Sequence, residues 1–261
     1  MAMAAVADSQ FSIGRVVSRT FAVIGQNAVP FLVLSFLAVL PVELLYYFFG
    51  ILTTARGGVT FATQSGSFWL TLAAVYVATV LFSMVLQASL VHGTIKDLNG
   101  ERASIGEMLS TGLRLFFPLV GFAIVSTLGA GLGFVLLIVP GLILMTVWSV
   151  GIPVLVTERT GVFDALGRSG DLTRGHRWSI FGLLIVFYIG VFAVSMMARP
   201  LFGVAALGSS LSGVSAAYLV FDLVYRMAVA VIAATGLACL YYELRASKEG
   251  VGPQQLASVF D

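Results

Sequence analysis

The sequence contains an uncharged run of 42 residues, from residue 115 to residue 156, and this run restricts the fold of the chain. A transmembrane helix needs about 20 mostly apolar residues, so the run is long enough for two crossings. Val139, Pro140 and Gly141 lie in this run, and proline and glycine favour a tight reversal there. We therefore predict two membrane-spanning helices, at residues 115–138 and 141–157.

The rest of the chain has the same membrane character. Hydrophobic residues make up 59% of it and charged residues only 10%, whereas a soluble domain carries about 25% charged residues. We predict an all-α, polytopic membrane helical bundle of about six transmembrane helices, forming one integral membrane domain over residues 1–261. The four remaining spans are predicted at residues 30–52, 68–90, 178–198 and 220–242.

Basic residues are distributed unequally between the two sides of the predicted bundle. With the amino terminus inside, Arg56 and Arg199 fall in outer loops and Arg226 falls within the last span, while the other eleven of 14 are inside. Because cytoplasmic loops carry an excess of Lys and Arg, this asymmetry predicts that both termini are cytoplasmic. The eleven are Arg15, Arg19, Lys96, Arg102, Arg114, Arg159, Arg168, Arg174, Arg177, Arg245 and Lys248.

Three inner segments share one layout, a short amphipathic stretch followed by a helical hairpin. The stretches, at residues 12–24, 104–114 and 162–173, are predicted to be interfacial helices, the second capped by a box of Ser104 and Glu107. This layout favours three repeats, although any protein of alternating hairpins needs basic amphipathic loops. The arginines predicted to contact anionic lipid headgroups are Arg15, Arg19, Arg168, Arg174 and Arg177.

Three ionisable residues lie within the predicted spans. Counting about 1.5 Å per residue, Glu43 of the first span and Arg226 of the last reach similar depths, and Asp222 precedes Arg226 by one helical turn. We expect these three to form an intramembrane polar cluster. It is either a site for a lipid headgroup or small polar solute, or a structural ion pair between the first and last helices.

No pattern in the sequence indicates catalysis, a metal site or a cofactor. His92 and His176 stand beside basic residues rather than metal ligands, and Cys239 lies within an apolar run. The sequence has no nucleophile elbow, phosphate-binding loop or helical zinc motif. We therefore expect a non-enzymatic protein without cofactors, and the small net charge gives no support to nucleic-acid binding.

Two segments carry motifs known from one protein family. Residues 139–182 and 241–250 resemble the glycerophosphoryl diester phosphodiesterase membrane-domain family, which implies a multi-helix bacterial inner-membrane protein. The phosphodiesterase's metal-binding and acid-base residues have no counterparts here, so the resemblance does not imply that activity. The matching residues are Pro140, Gly141, Ala165, Leu166, Ser169, Arg174, Gly175, Trp178, Tyr242, Glu243, Leu244, Arg245, Glu249 and Gly250.

Two functions remain open at this point. The first is a protein that engages anionic phospholipid through its inner face and organises the membrane or scaffolds a partner. The second is a small transporter or lipid-handling protein that uses the intramembrane cluster. Glycines 129, 131 and 133 in the third span could also support a homo-oligomer through close helix packing.

Overall fold

The computed structural model describes residues 11–55, 66–207 and 216–249, and within these ranges the protein is helical without a strand. Gly250 of the matched tail and Arg56 of the first outer loop lie outside the described residues. The helices are α1 (Ile13–Gln26), α2 (Ala28–Ala55), α3 (Gly66–Leu98), α4 (Ile105–Arg114), α5 (Phe116–Leu136), α6 (Ile138–Val147), α7 (Gly151–Glu158), α8 (Val162–Thr173), α9 (Arg177–Leu207) and α10 (Ala216–Glu249).

Six stretches of these helices are long and apolar enough to cross a membrane, as a polytopic helical bundle requires. Each overlaps one predicted span, and the succession of a short helix and two spans occurs three times along the chain. The third such succession begins with α8, whose bounds equal the predicted ones. The six stretches are Ala28–Phe48, Gly66–Leu98, Phe116–Leu136, Ile138–Glu158, Arg177–Met197 and Leu219–Glu249.

The three short helices α1, α4 and α8 are amphipathic and bury one face each. In α1 the buried residues are Val16, Thr20 and Val23, which recur at the spacing of three to four residues that places side chains on one helical face. α1 packs on α10, α4 on α3, and α8 on α7. Gly112 allows α4 to approach α3 closely, since a Cβ there would lie 2.6 Å from the Val85 carbonyl oxygen.

The buried core lies at the end of the bundle where the short helices pack, which we call the basic face. There α3 and α10 continue past the predicted span ends, and the buried residues include Leu90, Val91, Leu155, Leu240 and Leu244. In contrast, apolar side chains such as Leu70 project freely from the remainder of the long helices. Lipid tails solvate such side chains as well as other helices do, so these parts need little packing.

The hairpin between α5 and α6 turns earlier than predicted. The reversal falls at Leu137, whose backbone is extended at φ −164° and ψ 151°, and not at Val139 to Gly141. Pro140 lies in the first turn of α6, where its missing N–H has no helical partner in any case. Gly141 serves close packing instead, because a Cβ there would lie 2.5 Å from the Phe134 ring.

Two of the three glycines in the third span pack inside this same hairpin. A Cβ on Gly129 would meet the Trp148 ring at 2.5 Å, and one on Gly133 would meet the Gly141 backbone at 3.0 Å. A Cβ on Gly131 would have no such neighbour within 4 Å. Gly129 and Gly133 thus allow close contact between α5 and the segment that follows it.

A break between α6 and α7 leaves a backbone carbonyl that needs a partner. In a continuous helix the Gly151 amide would donate to the Val147 carbonyl, but here it donates to Trp148 at 3.0 Å. Ser169 of α8 replaces it, its hydroxyl donating to the Val147 carbonyl at 2.7 Å. Unsatisfied backbone groups are costly in a membrane, so this bond explains why a serine stands there.

Replacing Ser169 with alanine should lower the free energy of unfolding by about 1–3 kcal/mol, the usual cost of an unsatisfied buried polar group. Only the Thr173 hydroxyl, 3.4 Å from the Val147 carbonyl, could substitute. Thermal unfolding in detergent micelles measures the change. The control is Ser126→Ala, whose hydroxyl donates within its own helix to Ala123; equal shifts in both variants would contradict this role.

Candidate functional site

A buried carboxylate on α10 holds two arginines of α1 at the basic face. Glu243 is 3% exposed. The Arg15 Nε donates to its Oε1 at 2.6 Å, and the Arg19 guanidinium donates to its Oε2 at 2.8 Å. Because Arg15 and Arg19 are one turn apart on α1, each reaches a separate oxygen of the same carboxylate. The guanidinium of Arg19 also lies over the Tyr242 ring, 5.5 Å from its centroid.

A second ion-pair network joins α7, α8 and α10. Arg168 donates to both carboxylate oxygens of Glu158 at 3.2 Å and also pairs with Glu249. The Tyr241 hydroxyl donates to Glu158 at 2.9 Å, and Arg245 donates to Glu249 at 2.9 Å. Three residues of the matched motifs, Glu243, Glu249 and Ser169, therefore hold helices together at this end of the bundle.

A third group of charges joins α3 to α4. The Lys96 ammonium lies 2.6 Å from Glu107 and 3.4 Å from Glu101, and the His92 ring lies 3.3 Å from Glu107. Hydrogen bonding to Lys96, and then to His92, lowers the pKa of the Glu107 carboxyl. The predicted capping box forms only in part: Ser104 accepts from the Glu107 amide at 3.2 Å, but the Glu107 carboxylate turns to Lys96 because an ammonium is the stronger partner.

The remaining basic residues of this face do not pair with a carboxylate among the described residues. Lys248 donates to the Asp171 carbonyl. Five arginines have no carboxylate partner among residues 11–55, 66–207 and 216–249, and the structure leaves their guanidinium groups exposed. They are Arg102, Arg114, Arg159, Arg174 and Arg177.

The predicted headgroup contacts thus fall into two sets. Arg15, Arg19 and Arg168 are engaged by carboxylates of the chain itself, so they stabilise the contact between helices. Arg174 and Arg177 remain available to an external anion. Arg102, Arg114 and Arg159 are not among the predicted headgroup contacts, although their positions in the predicted inner loops indicated that they are exposed there.

The structure brings the three intramembrane residues together. The Arg226 Nε lies 2.7 Å from Glu43 Oε1 and 2.7 Å from Asp222 Oδ2. Its N–H points at Asp222, so Glu43 Oε1 is held by charge without a directed hydrogen bond. The guanidinium also lies 5.8 Å from the centroid of the Tyr46 ring. The cluster therefore links α2 to α10 far from the basic face.

The described residues contain no group of three or more His, Cys, Asp or Glu side chains that could hold a metal ion. Burial lowers the pKa of His176, and its ring packs edge-on against Phe11 with centroids 4.6 Å apart. The other histidine, His92, is occupied by Glu107. Cys239 is a buried free thiol within the core.

Fold and charge pattern together define a multi-pass helical membrane protein whose helices are tied by ion pairs at one end. The chain is 25% identical over 119 residues to a UPF0259 membrane protein of Pectobacterium carotovorum subsp. carotovorum (strain PC1). That alignment covers 45% of this chain and 48% of the relative, so the chain spans about half the length of the curated protein it matches.

No family model matches the chain, and no solved structure matches it. The relative supports a membrane-protein family but not, specifically, the glycerophosphoryl diester phosphodiesterase membrane-domain family that the motifs resemble. Ser169, Glu243 and Glu249 of these motifs nevertheless hold helices together at the basic face.

If the intramembrane cluster of Glu43, Asp222 and Arg226 is a structural ion pair, Arg226→Gln should destabilise the protein more than Glu43→Gln does. Loss of Arg226 leaves two carboxylates without a counterion, at a cost of about 3 kcal/mol or more. Loss of the Glu43 charge leaves the Asp222 pair intact and should cost about 1–2 kcal/mol. Denaturation in detergent micelles measures the free energy of unfolding of both variants, and Glu101→Gln, at an exposed residue, is the control. Loss of a bound lipid or solute at unchanged stability would instead favour the transporter hypothesis.

Proposed function

We propose that this is a non-enzymatic bacterial inner-membrane protein whose basic face binds anionic phospholipid. By doing so it would organise the surrounding membrane or scaffold a partner there. The observation that carries the proposal is the set of five arginines that lack a carboxylate partner among the described residues. All five lie on the side of the bundle where the amphipathic helices pack.

Charge supports anionic lipid as the partner. A basic residue near an anionic membrane surface contributes about 1 kcal/mol of attraction. Five such residues are enough to enrich anionic lipid around the protein without any single tight contact. The ion-paired arginines, Arg15, Arg19 and Arg168, contribute less because their guanidinium groups already pair with Glu243, Glu158 and Glu249.

Exposed apolar side chains lie close in sequence to these arginines. Phe21 of α1 is 58% exposed, Leu113 of α4 is 56% exposed and Phe163 of α8 is 75% exposed. An amphipathic helix that lies in the headgroup region places such side chains into the acyl boundary while its charges meet the headgroups. Exposed apolar residues on all three short helices therefore support contact with a membrane surface.

The same distribution supports the orientation that the proposal requires. Basic residues concentrate on the cytoplasmic side of inner-membrane proteins, which would place the basic face and both termini in the cytoplasm. A homo-oligomer is compatible with this arrangement, with the exposed apolar faces of the spans as contact surfaces.

A transporter or lipid-handling protein that uses Glu43, Asp222 and Arg226 is the alternative. In that cluster two carboxylates already engage the guanidinium at 2.7 Å, which favours a structural role. The basic face offers unneutralised charge to an external anion, and for this reason we prefer it.

Extraction of the protein in polymer nanodiscs with its surrounding lipid tests the proposal. Mass spectrometry should find a higher anionic fraction in the retained lipid than in the bulk membrane. The triple variant Arg102→Gln, Arg114→Gln, Arg159→Gln should reduce this enrichment severalfold, because about 1 kcal/mol is lost per charge near the surface.

Arg226→Gln is the matched control, since it removes a guanidinium from the opposite part of the bundle and should leave the enrichment unchanged. Retained lipid of the same composition as the bulk membrane would overturn the proposal. Loss of enrichment in Arg226→Gln alone would indicate that the lipid binds at the intramembrane cluster instead.

A further inference from the structure

Two cavities adjoin each other at the basic face and share Arg177. The first, of about 400 Å³, lies between the break after α6 and the exposed side of α8. The second, also of about 400 Å³, is a crevice between α6 and the first turns of α9. Each volume falls within the range of small-molecule sites, roughly 300–1,000 Å³.

The first cavity has a mixed lining of apolar and charged residues and carries net positive charge. Arg174 and Arg177 line it, and neither has a carboxylate partner in the described part of the chain. Asp171 is the one acidic residue of its lining, and Lys248 donates to the carbonyl of that residue, which brings a further cation to this edge. Two guanidinium groups at one opening are suited to a phosphate, which they can bind through several N–H donors.

The second cavity is apolar apart from Arg177 and Thr146. Its walls include Leu142 and Ile143 of α6 and Phe181 of α9, and Trp178 stands at its edge with 86% of its surface exposed. Tryptophan is enriched where a chain passes from headgroup to hydrocarbon. The crevice is also open to the membrane, because Ile143 and Val139 are exposed on the α6 side.

We propose that the two cavities together bind one anionic glycerophospholipid molecule. Its phosphate lies between Arg174 and Arg177, and one acyl chain lies in the crevice between α6 and α9. This site rests on the proposed function but goes beyond it, since diffuse attraction of lipid to the basic face requires no defined site.

The geometry favours a lipid over a soluble phosphate compound. A soluble anion would use the arginines but leave the crevice uncovered. A lipid uses both, because Arg177 lines both the charged first cavity and the apolar second one. Burial of part of an acyl chain adds affinity in proportion to the apolar area that is removed from water.

Native mass spectrometry of the full chain in detergent tests the site. The delipidated protein is titrated with dioleoylphosphatidylglycerol and, separately, with dioleoylphosphatidylcholine. We expect one phosphatidylglycerol molecule to bind before all others, with at least about tenfold preference over phosphatidylcholine. Glycerol 3-phosphate at the same concentration should not displace it.

Two variants probe the two halves of the site separately. Arg174→Gln with Arg177→Gln removes the phosphate contacts, and Ile143→Trp fills the crevice without changing any charge. Each should weaken the first binding event by at least about tenfold. Their matched controls are Arg245→Gln, which removes a guanidinium of the same face outside both cavities, and Ile189→Trp, which adds equal bulk on an exposed face of α9.

The outcomes separate the site from the proposed function. Loss of the first lipid in the test variants but not in the controls establishes the site. Equal weakening in test and control variants, or displacement by glycerol 3-phosphate, overturns it even if anionic lipid is still enriched in nanodiscs. No preference for phosphatidylglycerol in either assay would overturn both.

Discussion

The Glu243 carboxylate determines how the two ends of the chain meet. A carboxylate that is 3% exposed needs cationic partners, because an uncompensated charge in apolar surroundings is strongly destabilising. Arg15 and Arg19 supply them from α1, more than 220 positions earlier in the chain. This contact fixes α1 on α10, and α10 in turn packs against α2 and α3. The first interfacial helix is thereby held against the last span.

The other ion pairs extend this arrangement across the basic face. Glu158 and Glu249 hold α8 against α7 and α10, and Glu107 holds α4 against α3. Each of the three short helices is therefore attached to a long one by charge as well as by its apolar face. The apolar spans themselves gain little from burial in a bilayer, so such polar contacts specify which helices pair. The arginines left over are the ones that we propose to bind anionic lipid.

The sequence was sufficient to predict the helices but not their partners. Periodicity and length located all six spans and the three short helices, because both depend on local pattern. The depth of a residue in the membrane was also predictable from its position along its span. Glu43, Asp222 and Arg226 could therefore be placed together. The partner of Arg15 was not predictable, since no local sequence pattern relates Arg15 to Glu243. Ser104 and Glu107 show the same limit, because Lys96 competes with the predicted cap. The turn at Leu137 was missed because proline is tolerated in the first turn of a helix.

A double-mutant cycle between Glu243→Gln and Arg19→Gln tests most directly whether this carboxylate orders the basic face. The free energy of unfolding is measured by titration with a denaturing detergent for the wild type, both single variants and the double variant. We predict a coupling energy of at least about 1 kcal/mol, because each single variant already removes the contact between the two side chains. The pair Glu243→Gln and Arg114→Gln, which do not touch, serves as control. Effects of Glu243 and Arg19 that add within about 0.5 kcal/mol would contradict the account.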